Sequence, residues 1–414
     1  MVREQCRACA SRRMRPMLSL GEQPLANALT DSPFPSEERR YPLDLVFCEE
    51  CGLAQLTLSV PPSEMFSDYV YYSSYSSTVM KNARDIAERL VHDRGLTESD
   101  LVMEIGSNDG YLLKNYREHG VSVLGVDPAE NIARQARELG IPTECAFFGI
   151  DVAERLALAG HRPSVIHANN VIAHIPDING VLAGIGRILR DDGVAVIETP
   201  YVRDMVDNLE FDTIYHEHLY YYSVTAISRL LQRNGLRLQH VEHLPIHGGS
   251  LRIFAVLDDG GAPSGPTQRY LDEEQALGMD VAVYFENFAQ RVDSLRARLR
   301  TQLYELRNQG ATIAGYGAAA KATVLLNAIG IGRDTVAFIA DLSPHKQGRY
   351  LPGVGIPIVD PKELHRQQPD YVVLFVWNHA DEVLAQQDAY RRQGGRFLIP
   401  IPEPHVIDPD EQSQ

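Results

Sequence analysis

The chain has 414 residues, of which 44% are hydrophobic and 23% charged, and a formal net charge of −16. That composition fits a globular protein of roughly two to four domains, and the acidic excess excludes a general nucleic-acid or anionic-membrane binder, because phosphate contacts lean on Lys and Arg. No apolar run reaches the ~20 residues of a membrane span and the N-terminus lacks an apolar signal core, so a cytoplasmic setting is expected, with no membrane and no nucleic acid among the partners.

Four of the five cysteines lie in the first 51 residues, as Cys6-x2-Cys9 and Cys48-x2-Cys51. Each pair forms a knuckle that offers two thiolates, and two knuckles complete a tetrahedral zinc site. Four protein ligands leave no open position, so the site is expected to be structural, and so small a segment depends on metal to fold. Cys145 reads as a core residue of the next domain.

The stretch 66–77 holds four tyrosines and five serines around one valine. It reads either as a polar loop with partly packed rings or as a set of hydroxyls over a polar substrate such as a sugar. A helix is predicted over 78–94. Next come an apolar strand over 101–105, the turn Gly106-Ser107-Asn108-Asp109-Gly110 and a helix start. A second strand over 121–127 ends in Asp127. Strand, glycine turn, helix, strand and acid make a nucleotide-binding half of a doubly wound sheet. The pattern Glu104-x-Gly106-x-Asn108-x-Gly110 resembles that of S-adenosylmethionine (SAM)-dependent methyltransferases, with Glu104, Gly106, Asn108, Gly110 and Asp127 as cofactor-binding residues. Strands over 164–171 and 193–200 flank a helix over 178–189. Asn169, near the end of the first of them, is assigned to the cofactor side. The order of elements favours a methyltransferase over a dinucleotide oxidoreductase.

Residues 210–222 pack two histidines, three carboxylates and four tyrosines into thirteen positions, a mixture suited to general acid–base chemistry. On a strand Tyr215 and His218 would face opposite sides, so the two can reach one substrate only if the segment bends. The run from His247 through Gly248 and Gly249 to Phe254 reads as a turn entering a final strand, its glycines either a hairpin or an anion-binding nest. A Gly/Pro-rich linker over 259–267 and one long helix over 270–308 lead to a second sheet. That sheet opens with a strand and the turn Gly315-Tyr316-Gly317-Ala318 before Lys321, and continues with strands over 336–341, 371–377 and 397–400. Asp341 sits roughly where a ribose-binding acid would. Small residues, Lys321 and the basic run around Lys346 and Arg349 suit a substrate diphosphate on a helix N-terminus, in preference to NAD.

Together these motifs resemble the SAM-dependent deoxysugar C-methyltransferases of antibiotic and lipopolysaccharide pathways, over nearly the whole chain. The resemblance implies an α/β fold with an N-terminal zinc-binding domain over 1–65, a central Rossmann-like methyltransferase domain over 66–265 and a second Rossmann-like domain over 266–414. It implies methyl transfer from SAM to C-3 of a nucleotide-linked 4-keto sugar, with dTDP the expected nucleotide and Zn2+ as structural metal. It further implies His218 as the base, Tyr215, Glu217 and His174 as its companions, and Tyr69 or Tyr71 as a tyrosine reaching the site. Tyr316, Lys321, Lys346 and Arg349 then hold the nucleotide end. The rival readings are an NAD-dependent oxidoreductase and a metal enzyme using His216 and His218. The sequence carries no signal for oligomeric state.

Overall fold

A computed structural model describes residues 3–65, 74, 77–246 and 248–409. Tyr69 and Tyr71 fall outside the described residues.

The N-terminal elements are β1 (Met14–Pro24), β2 (Arg40–Cys48), β3 (Ala54–Leu56) and a short helix α1 (Pro62–Met65). The central region runs α2 (Ser77–Arg94), β4 (Leu101–Ile105), α3 (Leu113–Glu118), β5 (Ser122–Asp127), α4 (Glu130–Glu138), β6 (Thr143–Cys145), α5 (Ile150–Leu158) and β7 (Val165–Asn169). It continues with α6 (Ile178–Ile188), β8 (Val194–Pro200), α7 (Val202–Asp207), β9 (Tyr220–Tyr221), α8 (Val224–Arg233), β10 (Leu236–Leu244) and β11 (Ser250–Leu257). Two helices, α9 (Gly265–Ala276) and α10 (Phe288–Asn308), lead to β12 (Ile313–Tyr316), α11 (Ala320–Ile329), β13 (Ile339–Ala340) and β14 (Ile358–Val359). The chain ends with α12 (Lys362–Gln367), β15 (Tyr371–Leu374), α13 (Ala380–Gln386), α14 (Asp388–Arg391), β16 (Arg396–Ile399) and β17 (His405–Ile407).

Among the described residues three sheets result. The central one has seven strands in the order β10-β11-β8-β7-β4-β5-β6, parallel except for the β10–β11 hairpin. Its middle strands are buried on both faces, which is why they read as continuous apolar runs. The third sheet has the order β14-β13-β12-β15-β16-β17. In each, the chain fills one side of its first strand before crossing to the other, so β4/β7 and β12/β15 are switch points where a ligand crevice opens. The first sheet is β1-β2-β3-β9. Its fourth strand is Tyr220–Tyr221, the tail of the 210–222 stretch, paired with Ala54 and Gln55 of β3.

Four expectations need correction. The single helix over 270–308 is two. Helix α9 ends at Ala276, followed by Gly278 at φ +71°, and the Met279 amide bonds back to the Glu274 carbonyl at 2.9 Å, a helix-stop pattern that Gly permits without strain. Residues 265–267 belong to α9 rather than to the linker, because Ser264 caps the helix by accepting from the Thr267 amide. In the third sheet the ladders are shorter than the apolar runs, only Ile339–Ala340 and Tyr371–Leu374. Cys145 is exposed, at the end of the edge strand β6.

Helix α9 is docked by one buried carboxylate. Glu274 accepts from the Tyr201 hydroxyl and from the Val224 amide at 2.7 Å each, and from the Thr225 amide at 2.7 Å. It thereby occupies the free N–H groups at the start of α8.

Candidate active site

The four cysteines converge. Their Sγ atoms all lie within 4.8 Å of one another, with Cys6–Cys51 at 3.6 Å and Cys9–Cys48 at 3.5 Å. Tetrahedral zinc with bonds of about 2.3 Å sets its sulfurs about 3.8 Å apart, so the cluster fits the ion. The Gln55 amide donates to the Cys6 sulfur at 3.0 Å, the kind of outer contact that orients a metal ligand. Among the described residues this is the one group of three or more metal-ligating side chains.

The residues assigned to the cofactor stand at the carboxyl ends of β4, β5, β7 and β8. Gly106 has φ +65°, and a Cβ there would come within 2.6 Å of Val171, so the turn after β4 requires glycine. Asn108, at φ +48°, is held in the left-handed region by its amide donating to Asp127 Oδ2 at 2.9 Å. The other oxygen of Asp127 accepts from the Ala129 amide at 2.9 Å. Glu104 is fully buried, and its two carboxyl oxygens accept no hydrogen bond among the described residues; those of Asp109 are in the same position. Burial, followed by the neighbouring carboxylates, pushes the Glu104 carboxyl well up. Buried acceptors without donors in a glycine turn suit a ligand that brings hydroxyl and ammonium hydrogens. A cleft opens beside this turn, lined by Asn82, Tyr111, Asn169, Asn170, Glu198 and His379 among others. Asp127→Ala is expected to weaken SAM binding about 10- to 100-fold, since it frees the Asn108 turn as well as removing an acceptor, a loss of ~1.5–3 kcal/mol. Calorimetric titration with SAM measures it, and unchanged affinity would remove Asp127 from the site.

The 210–222 stretch bends as expected. A turn at His216 and Glu217 is closed by the His218 amide donating to the Tyr215 carbonyl at 2.8 Å. It folds Tyr215 and His218 onto one side, with the tyrosine hydroxyl 2.7 Å from His218 Nε2. His218 Nδ1 lies 3.0 Å from the Thr213 carbonyl oxygen. A carbonyl only accepts, so Nδ1 carries the hydrogen and the lone pair is on Nε2. His174 ends the short turn Ile172–His174 after β7, and its ring stands edge-on to His218 with centroids 4.9 Å apart. Burial lowers the His174 pKa to about 4, so it is neutral near pH 7. The Leu219 amide donates to the Ala173 carbonyl at 2.7 Å and ties the two segments together.

The neighbours of His218 in sequence point elsewhere. His216 packs edge-on against Tyr41 at 5.8 Å. The Asn27 amide donates to Glu217 at 2.7 Å, and burial pushes the Glu217 carboxyl up to about 7. Glu210 and Asp212 turn toward the third sheet, where the Trp377 indole donates to Asp212 at 2.8 Å. Lys321 lies 3.9 Å from the Trp377 ring centroid and 3.3 Å from the Asn378 side-chain oxygen. Burial raises the Glu210 carboxyl to about 8 and the Asp212 carboxyl to about 6, with Lys321 opposing both shifts.

Of the residues assigned to a substrate diphosphate, Tyr316 is buried, its hydroxyl 3.4 Å from Gln386. Lys346 donates to the Ala318 carbonyl at 2.9 Å, and Arg349 to the Leu29 carbonyl at 2.6 Å and to Asp31 at 3.2 Å. Asp341 accepts from the Ala318 and Ser343 amides, as Asp127 does in the other sheet. Gly248 and Gly249 form the tip of the β10–β11 hairpin, where a Cβ would run into Glu210 and Asp204. Two carboxylates against that tip favour the hairpin over an anion nest. Sequence reasoning missed Asn82, Glu198 and His379 in the cleft, and Asn27 behind Glu217. His379 follows the carboxyl end of β15, a position that marks ligand residues in such sheets.

Family models match along the chain: a zinc binding domain over residues 6–66, a methyltransferase domain over 78–241 and a C-methyltransferase C-terminal domain over 245–402. The chain is 36% identical to the C-methyltransferase NovU of Streptomyces niveus over 406 residues, 98% of this chain and 97% of that protein. A ubiquinone biosynthesis O-methyltransferase of Azorhizobium caulinodans is 30% identical over 102 residues, 24% of this chain and 39% of that protein. Among the described residues no helix is long and apolar enough to cross a membrane. With SAM supplying the methyl group and four cysteines suited to zinc, the chain belongs to the family of SAM-dependent C-methyltransferases.

Proposed function

We propose that the enzyme methylates C-3 of a nucleotide-linked 4-keto-deoxysugar, dTDP-linked in the first instance, with His218 as the base. The observation that carries this reading is the His218–Tyr215 pair: a histidine whose Nδ1 hydrogen is fixed by the Thr213 carbonyl, and whose Nε2 receives a tyrosine hydroxyl at 2.7 Å. The sugar class rests on the motif resemblance set out above.

A carbon beside a ketone loses its proton only as charge moves to the ketone oxygen, so a base and an oxyanion donor are needed together. His218 Nε2 takes the C-3 proton. The Tyr215 hydroxyl, released from Nε2, turns its hydrogen to the C-4 oxygen as negative charge grows there. Neutral His174 backs the His218 ring without competing for the proton. When bound, SAM supplies an electrophilic methyl carbon for the enolate C-3. The nucleotide end is assigned to the crevice at β12/β15, near Tyr316, Lys321, Lys346 and Arg349, and Tyr69 or Tyr71 is assigned to the sugar. A metal-dependent reading through His216 and His218 gains no support, since the His216 ring packs on Tyr41 while His218 is held by Tyr215 and Thr213. Incubation of SAM with a panel of nucleotide-linked 4-keto sugars, followed by mass spectrometry and NMR of the product, tests the reading; methylation of oxygen or of another carbon would replace it.

Glu217 gives a separate pH signature. Burial pushes its folded pKa up to about 7, above the ordinary carboxyl value of 4.5, so the folded state holds this proton more tightly. The resulting stabilisation is complete below pH 4.5 and is lost as pH rises through 7, on the order of 3 kcal/mol in all. Glu217→Gln is therefore expected to match the parent in melting temperature at pH 4 and to exceed it at pH 8. A difference independent of pH would mean that Glu217 is not a buried, tightly protonated acid.

A further inference from the structure

Residues of the zinc domain surround the turn that carries His218. Strand β3 pairs with Tyr220 and Tyr221, and the Leu56 amide donates to the Leu219 carbonyl at 3.0 Å. Tyr41 packs on His216. Asn27, in the segment between β1 and β2, reaches Glu217 with its side-chain amide, 190 residues away in sequence. The segment holding Asn27 is in turn fixed by the third sheet's domain. The Thr323 hydroxyl donates to the Ala26 carbonyl at 2.8 Å and Arg349 to the Leu29 carbonyl. Thr30 and Tyr350 exchange two backbone bonds, at 3.0 and 2.8 Å. Asn27 is thus anchored on both sides by one domain while its side chain grips the motif of another.

We propose that Asn27 is a positioning residue of the methyl-transfer site, setting the Tyr215–His218 turn through its hydrogen bond to Glu217, so that the zinc domain serves the reaction and not only the fold. This rests on the reading of His218 as base. Glu217 accepts this bond at one oxygen and is 5% exposed. A buried carboxyl without its donor rotates to find another, and it sits directly beside His218 in the chain. A shift of about 1 Å in the base relative to C-3 is enough to slow transfer substantially. The cleft beside the Gly106–Gly110 turn, which the proposed function gives to SAM, is lined by other residues, so cofactor binding is expected to be spared.

The test compares Asn27→Leu with the parent for kcat, KM, SAM affinity and zinc content, and repeats Asn27→Leu in a Glu217→Ala background. Asn27→Leu is expected to lower kcat about tenfold, with KM, SAM affinity and zinc content within about twofold of the parent. In the Glu217→Ala background it is expected to cost nothing further, because the bond it removes is already gone. A merely structural role would cost the same in both backgrounds, and that result overturns the proposal. If leucine unsettles the segment, Asn27→Ser, polar but too short to reach Glu217, gives the same readings. Parent-like kcat in a folded, zinc-loaded Asn27 variant overturns the inference while leaving the base assignment intact. Parent-like kcat in His218→Asn overturns the base assignment itself.

Discussion

His218→Asn is expected to lower kcat by about 10³-fold while SAM affinity stays unchanged. A positioned general base contributes roughly 10²–10⁴-fold, and asparagine keeps the size and polarity of the site without a basic nitrogen. The loss corresponds to ~4 kcal/mol of barrier. SAM binding should survive because the cofactor turn and cleft are formed by Gly106–Gly110, Asp127, Asn169 and Glu198. A second measurement isolates the proton step. In deuterated buffer the parent enzyme should wash the C-3 hydrogen out of a 4-keto sugar, and His218→Asn should not. Tyr215→Phe is expected to slow both exchange and methylation less severely, since it removes the oxyanion donor but leaves the Nε2 lone pair. Should Tyr215→Phe instead abolish exchange as completely as His218→Asn, the tyrosine oxygen would be the immediate proton acceptor and His218 its relay. Full activity in His218→Asn would end the base assignment.

What could be read from the chain was what is local. Cys6-x2-Cys9 and Cys48-x2-Cys51 announce their chemistry by spacing, and the turn from Glu104 to Gly110 by the glycines that its backbone requires at φ +65° and +80°. The bend at Tyr215–His218 was expected because the family resemblance puts both side chains on one substrate and no strand can do so. Contacts across the chain were not legible. Asn27 has no motif and meets Glu217 through the pairing of β3 with β9 and the anchoring of its own segment on the third sheet's domain. The surroundings of Lys321 were equally hidden, since Glu210, Asp212 and Trp377 lie 109–111 and 56 residues away. Apolar pattern also hid the stop at Gly278, because the helical period resumes in α10 after the interruption. Cys145 misled for a related reason: residue type reports average burial, whereas strand position, here the edge of the central sheet, decided its exposure.

Loss of the zinc site is the second large effect expected. Cys48 ends β2 and is fully buried, and with Cys51 it forms the knuckle that closes on Cys6 and Cys9. Structural zinc in small domains contributes about 10–16 kcal/mol of binding free energy to folding, and Cys48→Ser forfeits several kcal/mol of it by removing one thiolate. The first sheet has few strands and its hairpin, β1–β2, carries exposed polar residues on one face, so it cannot compensate with apolar burial. Unfolding there strips β9 of its partner and releases Glu217 from Asn27 and His216 from Tyr41. The turn holding His218 then loses its fixed geometry, and methyl transfer is expected to fall more than ~100-fold. The seven-stranded sheet contains none of β1, β2, β3 or β9, so SAM affinity should remain within about twofold. Elemental analysis, hydrogen exchange over residues 3–60 and 214–222, and calorimetry with SAM separate these outcomes. A zinc-free Cys48→Ser enzyme with parent-like turnover would show that the metal domain holds no part of the reaction site.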